Sequence, residues 1–280
     1  MKIYRISGLI CFLIVALSSI VGAGQGFNLL NIETLELGTS SAPIAVGTIN
    51  NQMLSTTIGK LYGDDIVYRV ISLYRPIEEG RRGFGVNIVT LTTSGILGTT
   101  TGEDGTEFSG FFSDKQNGLL WSYGQKFKDS IYGGFTLKYL NRSLGEYTAK
   151  HVGVDLVLTL ISDSTNSIVN FTLQDIYGDI LWSTGLREDI KHSLKVDLSQ
   201  GFFGDSLLLV ASNKFQLGKE NNFSFRVDLK PTKRITLSLG NKRASYSAGI
   251  GLSFDMLDIS YAVKKEDLGT SQFIRFGMGF

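Results

Sequence analysis

From about residue 52 to the end, the chain alternates between apolar and polar positions with a period of two. The clearest run is Tyr246–Asp255, where Tyr246, Ala248, Ile250, Leu252 and Phe254 fall on one face and Ser247, Gly249, Gly251, Ser253 and Asp255 on the other. Phe223, Phe225, Val227 and Leu229 alternate with Ser224, Arg226, Asp228 and Lys230, and Leu194, Val196 and Leu198 with Lys195 and Asp197. A period of two is that of an extended strand with two chemically different faces. Turn residues divide the alternation into fourteen predicted strands, near 52–61, 65–77, 81–93, 116–127, 130–142, 150–162, 166–176, 190–199, 205–215, 222–230, 233–242, 246–255, 257–265 and 270–280. A weak hairpin at 95–112 could add or replace a pair, giving a range of twelve to sixteen.

Two architectures bury such strands. A secreted soluble β-sandwich, acting as an adhesive or structural module, would put the apolar faces inside. A transmembrane antiparallel β-barrel would turn them toward lipid and keep small and polar residues inside. Several features favour the barrel. The segments 65–77, 130–142 and 150–162 exceed ten residues, against about five or six in soluble sheets. Tyr123, Phe127, Tyr132, Tyr139, Tyr147 and Tyr261 lie near strand ends, as interface girdles require. The last strand, 270–280, puts Ile274, Phe276, Met278 and Phe280 on one face and carries it to the final residue. Termini usually fray, so this apolar terminal strand reads as an assembly signal for the outer-membrane insertion machinery. Short turns are expected at Asp129-Ser130, Pro231-Thr232 and Asn241-Lys242. Longer, extracellular loops are expected at 99–110, 143–149 and 178–189.

Composition agrees with export. Residues 1–23 read as a cleaved signal peptide, with Lys2 and Arg5, an apolar run from Leu9 to Val21 broken by Ser18 and Ser19, and small residues at 22–23. The run is too short to be a spanning helix. Its removal takes the formal charge from +1 to −1 and takes away the only cysteine, Cys11. No disulfide and no basic excess for nucleic acid remain. Thirty-three glycines beside three prolines suit long strands with tight turns. Residues 24–51 lack sustained alternation and read as a short plug or periplasmic segment before a barrel spanning 52–280.

The stretches Trp121-Ser-Tyr-Gly-Gln-Lys-Phe127, Ile131-Tyr-Gly-Gly-Phe-Thr-Leu-Lys-Tyr-Leu140 and Gly153-Val-Asp-Leu-Val-Leu158 resemble the middle of the PorV/PorQ barrels, relatives of the FadL-type transporters of hydrophobic compounds. The tail, from Gly249-Ile-Gly-Leu252 through Ile259-Ser-Tyr-Ala262 to Phe280, is similar to that family's as well. In Val169–Ile176 the family's glycine comes late, at Gly178. The resemblance covers roughly 65–280. At 36–48 the alanine-rich and Asn-Pro-Ala signature of the family is missing. The resemblance implies an outer-membrane barrel that transports small hydrophobic compounds or docks secreted proteins and secretion-system components.

Candidate chemistry is sparse. His151 and His192 are the only histidines, without metal-binding spacing. His151 opens a strand after a loop, the position of an interface residue. His192 and Ser193 are adjacent and so point to opposite faces of a strand. No constellation meets the requirements of an active site, so neither enzyme activity nor a cofactor is expected. Arg81-Arg82 and Lys264-Lys265 suit interfacial anchoring or turn solvation, or contact with lipopolysaccharide or a partner; outer-membrane lipid and lipopolysaccharide are expected partners of the barrel. Lys138, Asp155, Arg226 and Asp228 are candidate lumen charges.

Overall fold

The computed structural model describes residues 52–280, apart from 63–65, 79–80, 103–104, 205, 217–220 and 243–244; of the side chains of 100–107 nothing is said. The expected signal peptide and N-terminal segment lie outside these residues. Sixteen strands form one antiparallel sheet, and no helix occurs among the described residues. Fourteen of them make the wall: β1 (Met53–Leu61), β2 (Ile66–Ile77), β3 (Arg82–Gly102), β4 (Gly105–Lys128), β5 (Ile131–Leu144), β6 (Tyr147–Ser162), β7 (Ser167–Tyr177), β10 (Ser193–Phe202), β11 (Leu207–Gln216), β12 (Asn222–Thr232), β13 (Ile235–Lys242), β14 (Ser245–Ser253), β15 (Leu257–Glu266) and β16 (Gly269–Gly279). Each pairs with its sequence neighbours, and β1 closes on β16 from Met53↔Gly279 to Lys60↔Gln272. The protein is therefore a closed fourteen-strand up-and-down barrel, and the sandwich alternative is excluded. Closure leaves no sheet edge, which a wall facing lipid requires.

Cross-strand partners share a face, so the pairing fixes what points where. Leu54, Ile58, Ile71, Ile88, Leu119, Leu137, Leu156, Phe225, Leu239, Ile250 and Phe276 all point outward and are exposed. Ser55, Ser72, Asn87, Ser122, Thr136 and Ser224 point inward and are buried. Apolar side chains outside and small polar ones inside invert the arrangement of a soluble protein.

All fourteen expected strands are present. The 95–112 segment adds no wall strand. It lengthens β3 and β4 to 21 and 24 residues. The last β2 partner on β3 is Thr93, and the last β5 partner on β4 is Asp114. Residues 94–102 and 105–113 therefore stand beyond the rim as a two-stranded ribbon on the order of 30 Å long, at about 3.4 Å per residue. The expected loop at 143–149 is a two-residue turn at Gly145-Glu146. The turn expected at Pro231-Thr232 falls at Lys233-Arg234, with Thr232 paired to Ile235. Asn241 and Lys242 are inside β13. The even strand number puts residues 52 and 280 at one end, where all connections are of two to four residues. The opposite end bears the ribbon and the long 178–192 excursion. Short periplasmic turns and longer extracellular loops are the rule for such barrels, so the ribbon end is taken as extracellular.

Candidate functional site

The wall is irregular at one place. β7 pairs with β10 only as far as Gln174↔Ser193. Against β6, the register jumps from Leu156↔Leu173 to Val154↔Tyr177, so β7 spends four residues where β6 spends two. Asp175 lies in this bulge with φ +54°, a left-handed conformation uncommon for a non-glycine residue. The chain then turns at Gly178 (φ +123°) into β8 (Asp179–Trp182), which continues along β6 through Ala149↔Trp182 and His151↔Ile180. β9 (Arg187–Asp189) pairs with β8 alone. A Cβ on Gly178 would lie 1.9 Å from the Val152 carbonyl oxygen, so only glycine fits this turn.

A buried ionic cluster sits behind the bulge. Lys138 Nζ is 2.7 Å from Asp155 Oδ1 and 2.5 Å from Asp175 Oδ1. Asp155 Oδ1 also accepts the Asp175 backbone N–H at 2.8 Å. One inward lysine on β5 and one inward aspartate on β6 thus hold the bulged residue of β7. His151 is fully buried beside them, with Nδ1 3.2 Å from the Asp179 carbonyl and Nε2 3.7 Å from Asp175 Oδ1. Because a carbonyl can only accept, Nδ1 is the donor in the contact with Asp179, and Nε2 faces the Asp175 carboxylate. The expectation that His151 sits at the membrane interface is therefore incorrect: its parity on β6 points it inward, and Gly153 leaves space for the ring, since a Cβ there would come 2.5 Å from Nε2. His192 lies outside any strand, and its Nδ1 is hydrogen-bonded to the Asp175 carbonyl. Ser193 is buried and donates to Gln174 Oε1 at 2.9 Å.

Of the four candidate lumen charges, Lys138 and Asp155 meet in this cluster. Arg226 and Asp228 lie apart, on β12, and pair with each other at 3.2 Å. Arg142 and Asp114 form a second two-point contact at 2.8 and 2.9 Å, with Gln116 donating to Asp114. Among the described residues no group of three or more His, Cys, Asp or Glu side chains could hold a metal ion. Ile274, Phe276, Met278 and Phe280 point outward, 37–54% exposed, next to β1.

At the break lies a cavity of about 870 Å³. Lys150 and Val152 line it from the outer face of β6, His151 from the inner face, Ile176 and Tyr177 from the end of β7, and Leu181 and Ile190 with the charged Asp179, Arg187, Asp189 and Lys191 from the excursion. A cavity lined from both faces of one strand lies in the wall itself. Inside the barrel, Leu61, Tyr68, Leu91, Leu140, Ala149, Ile180 and Phe273 form a buried apolar cluster, with Tyr68 edge-on to Phe273. Ile190 packs against this cluster and also lines the cavity.

No family model and no curated protein sequence matches the chain. Solved structures do. The CymD monoaromatic hydrocarbon channel is 12% identical with a TM-score of 0.62, over 92% of this chain and 95% of that one. The toluene transporter TodX of P. putida is 9% identical with a TM-score of 0.61, over 86% and 93%. A Pseudomonas aeruginosa FadL homologue is 13% identical with a TM-score of 0.56, over 86% and 93%. At such identities the likeness is one of fold: this chain is built as the FadL and TodX barrels are.

Proposed function

We propose that the protein is a non-enzymatic barrel of the bacterial outer membrane that passes small hydrophobic compounds. The observation that carries this reading is the cavity in the wall at the β7 bulge, joined through Ile190 to an apolar cluster inside an otherwise polar barrel. Val152, Ile176, Tyr177, Leu181 and Ile190 supply the apolar part of this path, where an apolar solute gains about 25 cal/mol for each Å² of surface taken from water. The fold shared with a monoaromatic hydrocarbon channel and a toluene transporter supports the same class of solute. The test is uptake of radiolabelled toluene by intact Gram-negative cells with and without the protein. Faster uptake is expected with it, and equal rates reject the reading.

Docking of secreted proteins, as the PorV/PorQ resemblance implies, is a second reading. It draws on the free ribbon, where Leu97, Phe108 and Phe111 are 57–71% exposed beyond the rim. Co-purification of an exported protein that is lost on trimming 96–112 would support it, and unchanged co-purification would remove it.

A further inference from the structure

The charges on the outer face are of one sign. Toward the extracellular end, Lys60, Arg69, Lys115, Lys150 and Lys265 point outward and are exposed. Toward the other end Arg75 and Arg82 do the same. Among the described side chains of the fourteen wall strands, no Asp or Glu faces outward. Asp114, Asp155, Asp197, Asp228, Asp258 and Glu266 all lie at inward positions, where lysines and arginines accompany them. Solvation does not produce this bias. A lipid-facing Lys or Arg costs most at the bilayer midplane and little near its surface, and acids cost less. An indifferent surface would therefore carry both signs.

Three of the five extracellular-side cations lie on four contiguous strands. Lys60 pairs with Val67 and Ile58 with Arg69, so Lys60 and Arg69 are diagonal neighbours on β1 and β2, roughly 7–8 Å apart. Lys60 pairs with Gln272 on β16, and Lys265 of β15 pairs with Thr270 two residues further toward the rim. The Gln272 side chain between them is fixed by the Tyr261 hydroxyl, which donates to its Oε1 at 3.1 Å. Directly toward the periplasmic side of this patch lie the apolar Ile58, Ile71 and Ile274. Cations above and hydrocarbon below match one kind of molecule, a phosphorylated lipid standing in the leaflet with its headgroup at the rim.

We propose that Lys60, Arg69 and Lys265 form a binding patch for the phosphate groups of the outer-leaflet glycolipid, lipopolysaccharide. The proposal rests on the outer-membrane placement, but not on transport of any solute. Charge-assisted contacts from Lys and Arg suit phosphate oxygens, and the Lys and Arg stems can lie on the apolar surface while the heads reach the interface.

The test is retention of diphosphoryl lipid A by the full-length barrel folded in phosphatidylcholine vesicles, read by native mass spectrometry after mild detergent extraction. Wild type is expected to retain lipid A and to lose it with added salt. At about 1 kcal/mol per cation near an anionic surface, each removal should weaken retention about fivefold. The K60Q/R69Q/K265Q variant should therefore lose on the order of a hundredfold, while R75Q/R82Q, at the other end, should retain it as wild type does. Dephosphorylated lipid A with wild-type protein needs no variant and should not be retained. Equal retention of the phosphorylated and dephosphorylated forms, or equal retention by the triple variant and wild type, overturns the proposal. Toluene uptake is a separate readout, so failure of the transport reading leaves this result distinguishable.

Discussion

Replacing Lys138 by methionine isolates the contribution of the cluster behind the wall break. The Lys138 side chain is 3% exposed, and its ammonium group lies within 2.7 Å of two carboxylates. Methionine keeps most of the volume and removes the charge. Asp155 then keeps only the Asp175 N–H as a donor, and the two carboxylates face each other without the ammonium group between them. Breaking a buried pair by removing one partner costs about 3–5 kcal/mol, because the remaining charge is uncompensated. With an m-value of about 2 kcal/mol per molar urea, the unfolding midpoint should fall by roughly 2 M. The assay is urea unfolding in lipid vesicles, followed by fluorescence of Trp182 in a Trp121→Phe background. Trp182 is on β8, hydrogen-bonded to Glu188 and stacked under Arg142, so it reports on the break itself. Neutralising all three groups, as K138M/D155N/D175N, should recover most of the loss, since the charges are removed together. The exposed Arg82–Glu78 pair is the control, worth about 0–1 kcal/mol. A Lys138→Met midpoint within about 0.3 M of wild type, near 0.5 kcal/mol, would refute the claim that this cluster holds the bulge.

Other substitutions probe other parts. Gly178→Ala should destabilise the β8 excursion by about 1–3 kcal/mol, since it adds a Cβ 1.9 Å from the Val152 carbonyl oxygen at a positive φ; faster amide exchange in 179–189 checks it. Phe108→Ser with Phe111→Ser should leave the barrel midpoint within about 0.5 kcal/mol, because the ribbon pairs with no other wall strand; a larger loss would place the ribbon in contact with the wall. Phe280→Ala is expected to slow insertion into the outer membrane while leaving refolding in detergent unchanged, as the reading of Ile274, Phe276, Met278 and Phe280 as an assembly signal predicts; pulse-labelled membrane fractionation separates the two.

The wall was legible in the sequence because each strand declares its own faces. Alternation located all fourteen strands, and it put Lys138 and Asp155 on the polar face that turned out to be inward. No local pattern marks the places where pairing is nonlocal. Asp175 escaped because the bulge breaks parity, so counting by twos gives its side chain no definite face. The inward burial of His151 has a related cause: the residues after Ala149 follow a turn in sequence, while β8, remote along the chain, supplies a partner that covers them. The ribbon of 94–113 looked like a separate hairpin because nothing local tells that neighbouring strands stop short of it. The one local hint of the wall break was the displaced glycine at Gly178. It marks a turn, yet the cavity beside it depends on residues of β6, β8 and the segment before β10 meeting in space.

The most direct test of the central claim fills the wall cavity and asks whether passage stops. Leu181→Trp with Ile190→Trp adds bulk to two lining residues. Folding of the variant is verified first by heat-modifiable migration in detergent gels, and radiolabelled toluene uptake is then compared in cells expressing equal amounts of wild type and variant. Passage through the wall break predicts that the folded variant falls to the rate of cells without the barrel. Uptake at the wild-type rate by a folded, filled variant would contradict it.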